Sequence, residues 1–97
     1  MKKMKKIEIV IDSLHLEHLI KLLEEKSFSG YTVIREVYGK GERGLMSGDE
    51  VSGVFQNSYL FTICEEQQLS SILEDLRKVL KKYGGVCIIS DVDWLIH

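Results

Sequence analysis

Ninety-seven residues, 44% of them hydrophobic and 29% charged, describe one globular domain near the commonest domain size. A formal net charge of −2 leaves no basic stripe of the kind nucleic-acid binding requires, and no run approaches the ~18 apolar residues of a membrane span. The basic start Met1-Lys-Lys-Met-Lys-Lys6 meets Glu8 and Asp12 before any apolar run of signal length, so the expected location is the cytoplasm.

Lys6–Asp12 reads as the first strand, with Ile7, Ile9 and Ile11 on one face by the period of two and Val10 on the other. Asp12 or Ser13 offers an N-cap, and Leu16, Leu19, Ile20 and Leu23 recur at helical spacing, which predicts an amphipathic helix from Ser13 to about Ser27. Ser29-Gly30 turns the chain into a second strand, Tyr31–Tyr38, rich in β-branched and aromatic residues. The pattern then breaks at Gly39-Lys40-Gly41-Glu42-Arg43-Gly44 and does not resume until about Asn57. Such a connection is far above the usual ~4–6 residues, and loops of that length are mostly functional or disordered. With Gly39, Gly41, Gly44, Gly48 and Gly53 and almost no core-forming side chains, the Gly39–Gln56 segment is expected to be mobile without a partner.

Ser58–Cys64 reads as a third strand. Glu65-Glu66-Gln67-Gln68 opens a second helix, with Leu69, Ile72, Leu73, Leu76, Leu80 and Tyr83 as its buried stripe. Glu74 and Lys78 are spaced for an i,i+4 pair, Lys78, Lys81 and Lys82 load the last turn, and Gly84 ends it. Val86 onward supplies a fourth strand and a short apolar tail. The order β-α-β-β-α-β is that of α+β, ferredoxin-like folds with an antiparallel sheet. Right-handed crossovers place both helices on one face of that sheet. The strands nevertheless carry apolar residues on both parities, as Leu60 and Ile63 or Ile88 and Ile89 illustrate. Each large side chain left in water forgoes ~1.5–3 kcal/mol, so the second face is expected to be covered by another copy of the chain.

Gly39-x-Gly41-x-x-Gly44 matches the spacing of a dinucleotide fingerprint, but no helical pattern begins at the glycines, and the fingerprint needs a helix N-terminus there. A Gly-rich loop bearing Lys40 and Arg43 can still offer backbone N–H groups and cations to an anion. His15 and His18 share a helix edge, yet no third ligand follows by spacing, and solvated side chains are the simpler reading. Cys64 and Cys87 lie in apolar strands and read as free, buried thiols. Asp49-Glu50, Glu65-Glu66 and Asp91/Asp93 read as loop, helix-start and strand-end polarity. An acylphosphatase-like site needs a phosphate cradle after the first strand, where Ile11-Asp-Ser-Leu-His15 has neither Gly nor Arg. No nucleophile-base arrangement emerges, and the residues do not point to an enzyme.

Lys3-Met-Lys-Lys-Ile-Glu-Ile-Val-Ile11, Gly30-Tyr-Thr-Val-Ile34, Gly39-Lys40-Gly41-x-Arg43 and the element order resemble the PII signal-transduction superfamily. The similarity covers nearly the whole chain, read as a single PII-like domain over 1–97, and is nearest the branch associated with bicarbonate transporters and carboxysomes. The resemblance implies a homotrimer with sheets packed inward, and adenine-nucleotide clefts between subunits. It also implies that Gly39–Gln56, as the T-loop, docks on a target such as a membrane transporter. Thr32, Gly39, Lys40, Gly41 and Arg43 would line the cleft from one subunit, and Tyr83, Gly84, Gly85 and Val86 stand where the second cleft loop, the B-loop, belongs. The chain departs from nitrogen-sensing members in several places. It lacks their Gly-Asp-Gly-Lys near Gly84, replaces the Arg pair after the last strand with Asp91–His97, has no Tyr between Tyr38 and Tyr59 for uridylylation, and carries Glu42-Arg43 where Arg-Gln supports 2-oxoglutarate binding.

In such a cleft Lys40 and Arg43 supply the charge, Gly84, Gly85 and Val86 offer backbone N–H groups, and the tail adds no cation. The γ-phosphate of ATP then loses most, so AMP, ADP or cyclic AMP is expected over ATP. No metal is expected. The alternative is a metal- or small-molecule-binding trimer of the same architecture, similar to CutA-type proteins, which would centre on His15/His18 or a cysteine.

Overall fold

A computed structural model describes residues 1–39 and 56–95. The elements are β1 (Lys2–Asp12), α1 (Leu16–Glu25), β2 (Thr32–Val37), β3 (Asn57–Cys64), α2 (Glu66–Tyr83) and β4 (Val86–Trp94), with a 3-10 turn at Ser13–His15 between β1 and α1. The sheet order is β2-β3-β1-β4, and every neighbouring pair is antiparallel. This is the ferredoxin-like arrangement that the element order predicts.

Alternation along the central strands decides which face is packed. Ile7, Ile9 and Ile11 of β1 and Ser58, Leu60, Thr62 and Cys64 of β3 are buried together with Leu16, Leu19 and Leu23 of α1 and Ile72 and Leu76 of α2. The two buried hydroxyls are satisfied: Thr62 Oγ1 donates to the Gly30 carbonyl at 2.6 Å, and Ser58 shares a hydrogen bond with Ser13 Oγ at 2.7 Å. Both cysteines are free; Cys64 is buried and Cys87 half-buried, and burial pushes both thiols above their ordinary range.

Several local readings are corrected by the structure. The first helix does not run from Ser13, because the Asp12 carboxylate takes the Leu14 amide at 2.9 Å and tightens the start into a 3-10 turn. At its other end Ser27 adopts φ 65, so that Phe28 N–H reaches Leu23 O at 2.9 Å and Ser27 N–H reaches Glu24 O at 3.1 Å. This is a Schellman closure made with Ser where Gly is usual, and Phe28 is buried beside it. The Glu74 carboxylate pairs with Arg77 at 2.7 Å rather than with Lys78, since the guanidinium fork reaches it one residue sooner along the helix. Glu65 forms a capping box with Gln68 ahead of α2. The first strand begins at Lys2 rather than Lys6, because β4 continues to Trp94 and pairs with it there.

Among the described residues, the opposite face carries no helix. Register places Val10, Ile34, Tyr59, Phe61, Ile63, Val86, Ile88 and Val92 on it. Ile34, Val86 and Ile88 remain 51%, 55% and 56% exposed. Polar groups are set among them: Tyr59 Oη donates to Glu8 at 2.7 Å, Lys6 lies 3.8 Å from Glu8, and its ammonium sits 5.0 Å from the Phe61 ring centroid. The hydrogen bond to Glu8, reinforced by burial, holds the Tyr59 phenol above its ordinary range.

Candidate functional site

One end of the sheet collects the segments that sequence singles out. Asp12, where β1 ends, pairs with Asn57, where β3 begins, and Asn57 also pairs with Val37 at the end of β2. Val86, where β4 begins, pairs with Val10 of β1. The departure and return of the long loop, the 3-10 turn and the Tyr83–Val86 connection therefore share this end.

The exit of β2 is bent before the loop leaves. The ladder to β3 shifts between Arg35 and Val37, and the extra residue, Glu36, has φ 63. A non-glycine residue in that region carries backbone strain, and a bulge of this kind re-aims the strand that contains it. The returning end is anchored by Ser13, whose N–H donates to Gln56 O at 2.9 Å and whose hydroxyl meets Ser58.

On the other side of the sheet end, Gly84 caps α2 at φ 83, and Gly85 follows at φ 117. A Cβ on Gly85 would lie 2.8 Å from the Val10 carbonyl oxygen and 3.1 Å from Leu80 Cδ2, so backbone presses directly on backbone here. Gly84 N–H donates to Leu80 O at 2.7 Å. That amide, counted among phosphate donors on sequence grounds, is thus already spent on the helix end, which leaves Gly85 and Val86 as candidate donors. Tyr83, the last residue of α2, is half-buried and stacks on His15 at 4.3 Å and His18 at 4.6 Å. His18 is exposed, as the sequence reading has it, and His15 is half-buried; what that reading lacks is their shared stack on Tyr83. Nothing in their spacing signals this, because the partner lies on another helix.

Gly39 lies at the loop exit with nothing within 4 Å of where a Cβ would stand, and Val86 opens β4 on the helix-free face. Thr32 is exposed at the far end of β2, opposite Phe61, so within one chain it is not brought to Gly84–Val86. Lys40, Gly41 and Arg43, and with them the expectation of a mobile loop, lie outside the described residues. No group of three or more His, Cys, Asp or Glu side chains converges among the described residues, and no helix among them is long and apolar enough to cross a membrane.

Comparison with known folds places this geometry. A structure of CPII, a nitrogen regulatory PII-like protein from Thiomonas intermedia K12, bound to ADP, AMP and bicarbonate, superposes with a TM-score of 0.79 at 23% identity, covering 94% of this chain and 91% of that one. A second structure of CPII, bound to ADP and bicarbonate, gives 0.78 at 24% identity, with 94% and 87% covered. A protein of Thermus thermophilus described as PII-like gives 0.72 at 27% identity, with 93% and 87% covered. No curated protein matches the chain in sequence. The family model for nitrogen regulatory protein P-II matches residues 4–95, from within β1 to just past the end of β4, and the chain belongs to that family.

Proposed function

We propose that the chain is a PII-like regulator, assembled as a homotrimer, that binds an adenine nucleotide between subunits and acts on a transporter or other bicarbonate-handling partner through Gly39–Gln56. The observation that carries the reading is the pair Gly84–Gly85, held at positive φ against β1 at the same sheet end as the loop, in a chain of this family. Thr32, Gly39, Lys40, Gly41 and Arg43 line the cleft from one subunit, and Tyr83, Gly84, Gly85 and Val86 close it. The separation of Thr32 from Gly84 within one chain agrees with a cleft whose walls come from different copies. The binding of ADP, AMP and bicarbonate by CPII supports the ligand class.

The helix-free apolar face supports the assembly. Its role is structural, and the nucleotide acts as an effector rather than a substrate. Calorimetry with AMP, ADP, ATP, cyclic AMP and bicarbonate tests the reading: micromolar binding of AMP, ADP or cyclic AMP is expected, and no heat from any of the five would overturn it.

A further inference from the structure

The end of α2 is held by an aromatic stack whose imidazoles play no part in the reading above. His15 closes the 3-10 turn, His18 lies in the first turn of α1, and their ring centroids are 6.0 Å apart. Rings on opposite faces of Tyr83 would stand at least about 7 Å apart, two contact layers of ~3.5 Å each. Both imidazoles therefore lie over the same face of Tyr83. Tyr83 leads straight into Gly84 and Gly85, and Gly85 packs back on Val10 and Ile11 of β1, the strand that runs into the turn bearing His15. Strand end, turn, imidazole pair, tyrosine and glycine loop close into a ring of contacts.

We propose that His15 and His18 are positioning residues for the Gly84–Gly85 loop, acting through Tyr83, and that proton uptake by the pair tightens the loop's hold on nucleotide phosphate. The inference rests on the nucleotide reading above for its second half only. Histidine is the side chain that ordinarily changes charge between about pH 5 and pH 8. On the His18 side, Lys21 and Glu25 from α1 and Asp75, Lys78 and Lys82 from α2 line a groove of about 380 Å³ with His18 and Tyr83, three cations against two carboxylates. Asp75 is engaged by Lys26 at 3.1 Å, the Lys82 ammonium lies 5.3 Å from the Tyr83 centroid, and Asp12 is occupied by the Leu14 amide. Added positive charge here is favoured by the negative end of α2 and opposed by the positive end of α1, where His18 lies, and in the proposed cleft it would act on phosphate held by the Gly84–Gly85 loop. Two added unit charges within about a Debye length of a bound phosphate, in largely aqueous surroundings, strengthen anion binding about three- to tenfold.

The test replaces both imidazoles by rings that stack and cannot take a proton, His15→Phe with His18→Phe, and in parallel His15→Gln with His18→Gln. Gly84 and Gly85 amide resonances are followed from about pH 8 to about pH 5.5, the ordinary range of imidazole titration, with ADP affinity measured alongside. In the native chain both amides are expected to move with the imidazole resonances, and ADP binding to tighten three- to tenfold relative to the Phe variant. Amides that stay still in the native chain, or move equally in the Phe variant, would overturn the positioning role. An equal pH dependence of ADP affinity in both proteins would overturn the phosphate coupling. Absence of ADP binding at every pH would overturn that coupling together with the nucleotide reading, while the amide titration would still decide whether the pair positions the loop.

Discussion

At Gly85 two constraints fall on one residue: φ is 117, and the space a side chain would need is filled by the Val10 carbonyl. Alanine there must shift the backbone of β1 or of the loop, at a cost of about 1–3 kcal/mol for the strained conformation alone. Gly30 offers the control, because nothing lies within 4 Å of its would-be Cβ. Urea unfolding should therefore show Gly85→Ala clearly destabilised and Gly30→Ala close to native. For the ligand, the proposed cleft draws its charge from Lys40 and Arg43, and on that proposal Arg43→Ala is expected to lose tenfold or more in affinity, since a charge-assisted contact contributes ~1.5–3 kcal/mol. Preference for AMP, ADP or cyclic AMP over ATP follows from the same scarcity of charge. Titration of Arg43→Ala against native protein with ADP and ATP checks both, and ATP binding at least as tightly as ADP would contradict the charge argument.

Among the elements, β4 adds two ion pairs to the backbone ladder that holds its last residues to β1. Asp93 accepts from Lys3 at 2.7 Å, and Asp91 is bonded to Lys5, where both strands run past the helices. The hydrogen bond from Lys5 and its charge hold the Asp91 carboxyl below its ordinary range, and the matching bonds raise Lys3 and Lys5. Asp91 thus contributes fully above the ordinary carboxylate range and loses its contribution as pH falls through its depressed value. Lys3 and Lys5 contribute below the ordinary lysine range and lose theirs as pH rises through their raised values. Trp94, the chain's single tryptophan, reports on this end of the strand. Its emission should hold steady near neutrality and change below about pH 4, where carboxylates protonate, with the acid transition weakened in Asp91→Asn. The strands and helices themselves were legible because their apolar periods are clean, as in Ile7, Ile9 and Ile11 or Leu16, Leu19 and Leu23. The Ser27 closure was not, since serine at a left-handed position carries none of glycine's signal. Nor was the Glu36 bulge, which depends on how β2 meets β3 rather than on anything local.

For the molecule as a whole, a four-stranded sheet with helices on one side leaves Ile34, Val86 and Ile88 about half exposed on the other. Covering them by self-association removes water from all three at once, and a charge placed there should block it. Ile88→Glu is expected to sediment as a folded monomer at concentrations where the native chain sediments as a trimer; a native monomer at micromolar concentration would end the trimer reading. Part of the site could be read in the same way from the chain alone. Gly84 and Gly85 stand out after a helix, and Gly39-Lys40-Gly41 after a strand. The stack of Tyr83 on His15 and His18 joins segments far apart in sequence, and Thr32 meets the others only if a second copy supplies the opposite wall.

In the proposed trimer the Lys6, Glu8 and Tyr59 cluster would be enclosed together with that face. Charges and a phenol enclosed between apolar sheets tolerate few arrangements, because every packing that leaves one of them without its partner pays for its desolvation. The cluster would then act less as glue than as a key to stoichiometry, excluding slipped or open-ended stacks of sheets. Replacing it by Lys6→Leu, Glu8→Leu and Tyr59→Phe should tighten association while broadening it, from one sedimenting species to several, whereas a single unchanged species would mean that the surrounding apolar contours already set the count.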